Sequence, residues 1–215
     1  MTRRPRALLF DWDNTLVDSW GVIHEALTLT FTAMGHEPWS LATTRERVRH
    51  SLRDAFPKLF GDRWEEARER YLDAFTAIHL DRLRAVEGAE TLLTGAVEAG
   101  YYLAVVSNKT GSILRREARH LDWTRHFRTL VGAGDAAADK PDPAPVHRAL
   151  EGSGITPEAT WFVGDTALDM QCAVSAGAVP VLLGDADVAD LERSEWRPAL
   201  RFADCASLLA ELRGL

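Results

Sequence analysis

Asp11 and Asp13 stand two residues apart, directly after the short apolar run Ala7–Phe10. Both carboxylates would therefore stand at the end of one strand. Farther along, Ser107, Asn108 and Lys109 follow a second apolar run. Lys140 lies just before Pro141, and Asp165 and Asp169 follow another apolar run. Carboxylates gathered in one place repel each other and do not all stay ionised unless a cation joins them. Hard oxygen ligands with no His or Cys nearby favour Mg²⁺ over Zn²⁺. A magnesium site beside Lys140, Ser107 and exposed backbone N–H groups suits a phosphate, which such residues could position, neutralise and attack.

That chemistry requires elements that bring distant segments together. Ala7–Phe10 reads as a buried strand whose C-terminal end opens into a polar loop. From Trp20 the apolar positions Ile23, Leu27, Phe31 and Met34 recur at helical spacing, until Gly35 and Pro38 stop the helix. Thr43-x-x-Glu46 predicts a capping box for a second helix with Val48 and Leu52 on its inner face. Pro57 and Gly61 are expected to break that pattern. Trp64, Ala67, Tyr71, Phe75 and Ile78 mark a third helix, so residues 18–84 read as all-helical with no strand signal.

After Gly88, helices alternate with strands. Helices are expected over 89–99, 112–121, 167–176 and 207–212, and another from an Asp142 cap with Pro143 at its first position to Leu150. Strands are expected over 101–106, 128–131, 160–163, 179–183 and 201–203. Residues 184–198 read as loop with a helical turn near 188–192. Alternation implies an α/β fold, a Rossmann-like parallel sheet with helices on both faces, its first strand separated from the rest by an all-helical insertion. Ligands of such sheets bind beyond the C-terminal strand ends. The polar clusters lie at those ends.

Four segments then resemble, in order, the motifs of the haloacid dehalogenase superfamily, most of whose members are phosphatases. They are Asp11-Trp12-Asp13-Asn14-Thr15, Val106-Ser107-Asn108, Lys140-Pro141 and Gly164-Asp165-Thr166-Ala167-Leu168-Asp169. The helical insertion resembles the family's small cap, and the chain is most similar to the phosphoglycolate phosphatase-like branch. The resemblance implies a core domain over 1–17 and 86–215 and a cap over 18–85. It implies Asp11 as nucleophile through an aspartyl-phosphate, Asp13 as general acid and then base, and Thr15 supporting the loop and its proton network. Ser107 and the Asn108 backbone would bind the phosphoryl oxygens, and Lys140 would neutralise them. Asp11, the backbone carbonyl of Asp13 and Asp165 would hold Mg²⁺, with Asp169 orienting Lys140 or a metal-bound water. Asn14 departs from the family's commoner Gly; Asn accepts left-handed geometry, so the loop should tolerate it. Within the cap, Arg45, Arg47, Arg49, His50 and Arg53 form a basic cluster. One reading is a solvated face partly paired with Glu46 and Asp54. The other is that Arg49, His50 or Arg53 binds a second anionic group of the substrate.

Composition sets the remaining bounds. The chain has 215 residues, with 25 Lys and Arg against 32 Asp and Glu, for a net charge of −7. That balance argues against nucleic-acid and anionic-membrane partners but not against a small phosphorylated metabolite held by local positive charge. Two cysteines without a CxxC spacing fit a reduced, cytoplasmic protein. The apolar run after Arg3, Arg4 and Arg6 is too short for a signal peptide, and no run is long enough to span a bilayer. Monomer and homodimer both fit. Trp20 reads as hinge packing, His24 as an exposed helix residue and Cys172 as buried packing. The other histidines show no ligand spacing. A phosphomutase resembling β-phosphoglucomutase and a non-catalytic binding protein on the same fold are the alternatives to a hydrolase. A dehalogenase activity is disfavoured by Asp13, the second acid that such enzymes lack.

Overall fold

The run Ala7–Phe10 forms β1, buried at every position. It pairs in parallel with β4 (Tyr102–Thr110) on one side and β6 (Thr160–Gly164) on the other. This is a computed structural model that describes residues 4–48, 50–184 and 195–215. With β5 (Thr129–Ala133), β7 (Val179–Leu183) and β8 (Leu200–Phe202) the sheet has the order β5-β4-β1-β6-β7-β8, all parallel. The chain steps from β1 through α5 (Ala89–Glu98) to β4 and through α6 (Gly111–His120) to β5 in one direction. It then crosses back through α7 (Ala144–Leu150) to β6 and continues through α8 (Ala167–Ala176) to β7. Crossovers of one hand running in opposite directions place their helices on opposite faces. One face is closed by Ala7, Leu9, Val106 and Phe162 against Val146, Ala149, Cys172 and Ala173 of α7 and α8. The closing helix α9 (Cys205–Gly214) packs on α5. The chain divides into two units, Met1–Val17 with Ala85–Leu215, and Asp18–Arg84.

The second unit is built from α1 (Trp20–Ala33), α2 (Leu41–Arg47), α3 (Leu52–Phe60) and α4 (Trp64–Arg82). Its interior is aromatic. Phe31 meets Trp39 and Phe60, Phe56 meets Tyr71, and Phe75 lies against both Tyr71 and His79.

Several local expectations are corrected. The second helix begins at Ser40, whose hydroxyl accepts the Thr43 amide at 3.1 Å, so Thr43 lies inside the first turn instead of capping it. Val48 and Leu52 do not share one inner face, because Val48 ends α2 and Leu52 opens α3. Pro57 does not break α3: a helix this short forfeits a single ladder bond, and Phe56 and Phe60 bury themselves on either side of it. Gly61, at φ +53°, marks its end. In the other unit, Ala144 opens α7, with the Asp142 carboxylate accepting its amide at 2.8 Å, so Pro143 occupies the cap position. β4 runs past Val106 to Thr110 through an irregularity in its pairing with β5. A two-residue ribbon, β2 (Val17–Asp18) with β3 (Arg84–Ala85), forms where no strand pattern was legible. The turn expected near 188–192 lies outside the described residues.

Candidate active site

Sheet register assembles the site. Phe10 pairs with Val105 and Val163, so the next residue, Asp11, emerges beside the ends of β4 and β6. Its amide donates to the Val163 carbonyl at 2.9 Å, which extends the ladder by one step and holds the Asp11 backbone. The loop then turns back on itself: the Asn14 amide donates to Val17 at 2.6 Å and that of Leu16 to Trp12 at 2.9 Å. Asn14 takes φ +64°, the left-handed geometry expected of it.

Lys140 is the hub. Its Nζ lies 2.8 Å from Asp11 Oδ1 and 2.6 Å from Asp169 Oδ1, with only 2% of the residue exposed. Asn108 explains how a residue on a loop reaches this position. Its side-chain amide donates to the Lys140 carbonyl at 3.0 Å and its Oδ1 accepts the Lys140 amide at 2.9 Å. Asn108 therefore clamps the Lys140 backbone with its side chain. Asp169 commits one oxygen to Lys140 and the other to the Thr166 amide and hydroxyl, closing a capping box that starts α8. Thr15 donates to Asp165 Oδ1 at 3.0 Å, linking the β1 loop to the end of β6. Ser107 is buried at the end of the same arc, its hydroxyl accepting the Lys109 amide at 3.2 Å.

Gly164 must be glycine for this packing. A Cβ there would lie 2.4 Å from the Asp169 side chain, which Lys140 and Thr166 hold in place. Gly164→Ala should cost about 1–3 kcal/mol of stability, read by urea denaturation, and an unchanged midpoint would show that Asp169 is free to move.

The electrostatics of the cluster suit a positive charge. Burial pushes the Asp11 carboxyl up to about 6, against the pull of Lys140 and with the repulsion of Asp169 and Asp13. Burial, then Asp169 and Asp11, raise Asp165 well above the carboxylate range. Lys140 is held above its ordinary value: burial opposes its charge, but Asp11 and Asp169 outweigh it. Carboxylate oxygens of Asp11, Asp165 and Asp169 lie within 4.8 Å of one another. An all-oxygen set in which the charges of Asp11 and Asp165 are disfavoured fits a hard divalent cation.

The haloacid dehalogenase-like hydrolase family model matches residues 8–182, which include all of these side chains. The chain belongs to this family. The phosphoglycolate phosphatase of Xylella fastidiosa (strain 9a5c) is 30% identical over 177 residues, covering 80% of this chain and 77% of that protein. The phosphoglycolate phosphatase of Aquifex aeolicus (strain VF5) is 30% identical over 181 residues, covering 82% and 84%. A solved haloacid dehalogenase-like family hydrolase from Streptococcus pneumoniae superposes with a TM-score of 0.85 at 26% identity, covering 97% of this chain and 98% of that one.

In this family member the sequence places Lys109 at a strand end without a role and gives no account of its partners. Lys109 Nζ lies 2.8 Å from Asp13 Oδ1 and 2.9 Å from Glu117 Oε2, and Glu117 also accepts the Trp12 indole N–H at 2.7 Å. Burial disfavours the Lys109 charge, yet Asp13 and Glu117 together hold its pKa above the ordinary value. The signal was present in α6. Glu117 falls on the face of Ile113, Leu114 and Ala118, and an acid on an apolar face requires a partner.

His50 and Arg53 are exposed in their own unit, and Arg49 lies outside the described residues. His24 corrects its expectation: it is half-buried, with Nδ1 3.1 Å from the Thr44 hydroxyl. Trp20 is half-buried with Arg45 over its ring, and Cys172 is buried as expected. Among the described residues no helix is long and apolar enough to cross a membrane.

Proposed function

We propose that this phosphatase of the haloacid dehalogenase-like family is a Mg²⁺-dependent phosphomonoester hydrolase for a small phosphorylated metabolite, phosphoglycolate first among the candidates. The observation that carries the reading is the buried Asp11 carboxylate held on Lys140, beside Asp165, at the C-terminal edge of the sheet. An Asp11 oxygen attacks phosphorus, the ester P–O bond breaks, and the departing oxygen takes a proton from Asp13. Water then attacks the aspartyl-phosphate and gives a proton to the Asp13 carboxylate as the Asp11–phosphorus bond breaks. Ser107 and the backbone N–H of Asn108 hold the phosphoryl oxygens, and Lys140 balances their charge. Asp11, the backbone carbonyl of Asp13 and Asp165 would hold Mg²⁺, with Thr15 orienting Asp165. When bound, the ion supplies charge neutralisation for the phosphoryl group and for the crowded carboxylates. The names of the two relatives at 30% identity support phosphoglycolate. A second anionic group on the substrate rests on the sequence of the helical unit, Arg49, His50 and Arg53. The expected protein is a cytoplasmic one.

Phosphate release from a panel of small phosphomonoesters, in Mg²⁺ and in EDTA, tests the proposal. Release should require Mg²⁺, return when Mg²⁺ replaces EDTA, and be fastest with phosphoglycolate. A sugar phosphate converted to its isomer without free phosphate would replace the hydrolase with a mutase. No release from any ester would leave a binding role on the same fold.

A further inference from the structure

Lys109 has no part in the reaction just described, yet it is buried against the side chain that handles the proton. Its ammonium lies between two carboxylates, Asp13 at 2.8 Å and Glu117 at 2.9 Å. A lysine on one carboxylate alone would swing with it; here the second carboxylate fixes the ammonium from behind. Glu117 is 1% exposed, sits on α6, and is itself anchored by the indole of Trp12. Trp12 is fully buried and lies edge-on to Trp123 at 5.8 Å and to Phe127 at 6.4 Å. The result is a closed circuit in which residues 12 and 13 of the loop are both tied to α6, one through its ring and the other through Lys109. Lys109 engages Oδ1 of Asp13, which leaves Oδ2 as the oxygen to carry a proton.

We infer that Lys109, braced by Glu117 and Trp12, is a positioning residue that sets the orientation of the Asp13 carboxyl for proton transfer to the leaving oxygen. A general acid is effective only within hydrogen-bond reach of the atom it protonates, and a carboxyl rotated about its side-chain bonds loses that reach. The inference rests on the phosphatase reading above.

Its signature is dependence on the leaving group. An alkoxide must be protonated as it departs, whereas 4-nitrophenolate leaves as a stable anion. kcat/KM reports the steps up to departure of the leaving group, so it isolates the acid role of Asp13 from its later role as base. Lys109→Met with Glu117→Gln removes the clamp without leaving Glu117 as an unpaired buried acid, and Gln can still accept the Trp12 N–H. This double variant should lose about 100-fold in kcat/KM on an alkyl phosphate such as phosphoglycolate, and less than about threefold on 4-nitrophenyl phosphate. Glu117→Gln alone, which keeps Lys109 but releases its brace, should show the same selectivity at about tenfold and carries the comparison if the double variant does not fold. Equal losses on both esters, or none on either, would overturn the inference and leave Lys109 as a packing ion pair. A wild type that hydrolyses neither ester overturns the phosphatase reading, and this inference with it.

Discussion

Asp11→Asn should abolish turnover, by on the order of 10⁴-fold or more, while making the folded protein more stable at neutral pH in EDTA. The two effects share one cause. Asp11 is the proposed nucleophile, and its buried position is unfavourable for its charge: burial raises its carboxyl from 3.8 to about 6 despite Lys140. A carboxyl whose folded pKa lies above its unfolded value binds its proton more tightly in the fold. Its stabilising contribution is complete below 3.8 and is lost as pH rises through about 6. Asn keeps the shape and does not titrate. The melting temperature of the variant minus that of wild type should therefore be smallest below the lower value, rise through the window and level off above it. Mg²⁺ should raise the wild-type melting temperature most on the alkaline side of the window and raise the variant's little. Near wild-type activity in the variant would remove Asp11 as nucleophile. A flat difference across pH would mean that burial of its charge is not what the fold opposes.

The same contrast explains how much the sequence disclosed. The centre of the sheet was legible because β1, β4 and β6 carry short apolar runs that stop near polar residues, and the register of β1 with β4 and β6 then aligns those stops. Asp11, Ser107, Lys140, Asp165 and Asp169 could be picked out as candidates only jointly: each is ordinary at a strand end or before a helix, but four such segments in the superfamily's order are not. Their supports could not. Asn108 reads as a phosphate ligand through its backbone; its side chain holds the Lys140 backbone, a pairing across 32 positions that no local pattern encodes. Lys109 and Glu117 are eight residues apart and meet only because β4 runs directly into α6. Helix limits failed for a related reason. Ser40 outcompetes Thr43 as a cap because its extended backbone directs the hydroxyl at the Thr43 amide, and Ser is the better cap residue of the two. Pro57 survives inside α3 because burial of Phe56 and Phe60 outweighs one absent hydrogen bond.

Lys140→Met should cost about 3–5 kcal/mol and on the order of 10³-fold in turnover. Lys140 is nearly inaccessible, and its ammonium is what Asp11 and Asp169 both face. Met matches the length of the stem, so the loss is one of charge and not of packing. The wild-type lysine is held above its ordinary 10.5, so its contribution is present at every pH below that value and is not lost through the neutral range. The deficit of the variant therefore comes from the carboxylates left behind. It should be largest at neutral pH and shrink as pH falls and Asp11 takes up a proton, a course that urea denaturation in EDTA across pH would trace. Adding Asp169→Asn removes one of the two unbalanced charges while the Asn side chain can still accept from Thr166. The double variant should recover part of the stability and none of the activity. Recovery of both would make Lys140 a structural counter-ion; recovery of neither would mean that Asp11, not Asp169, dominates the cost.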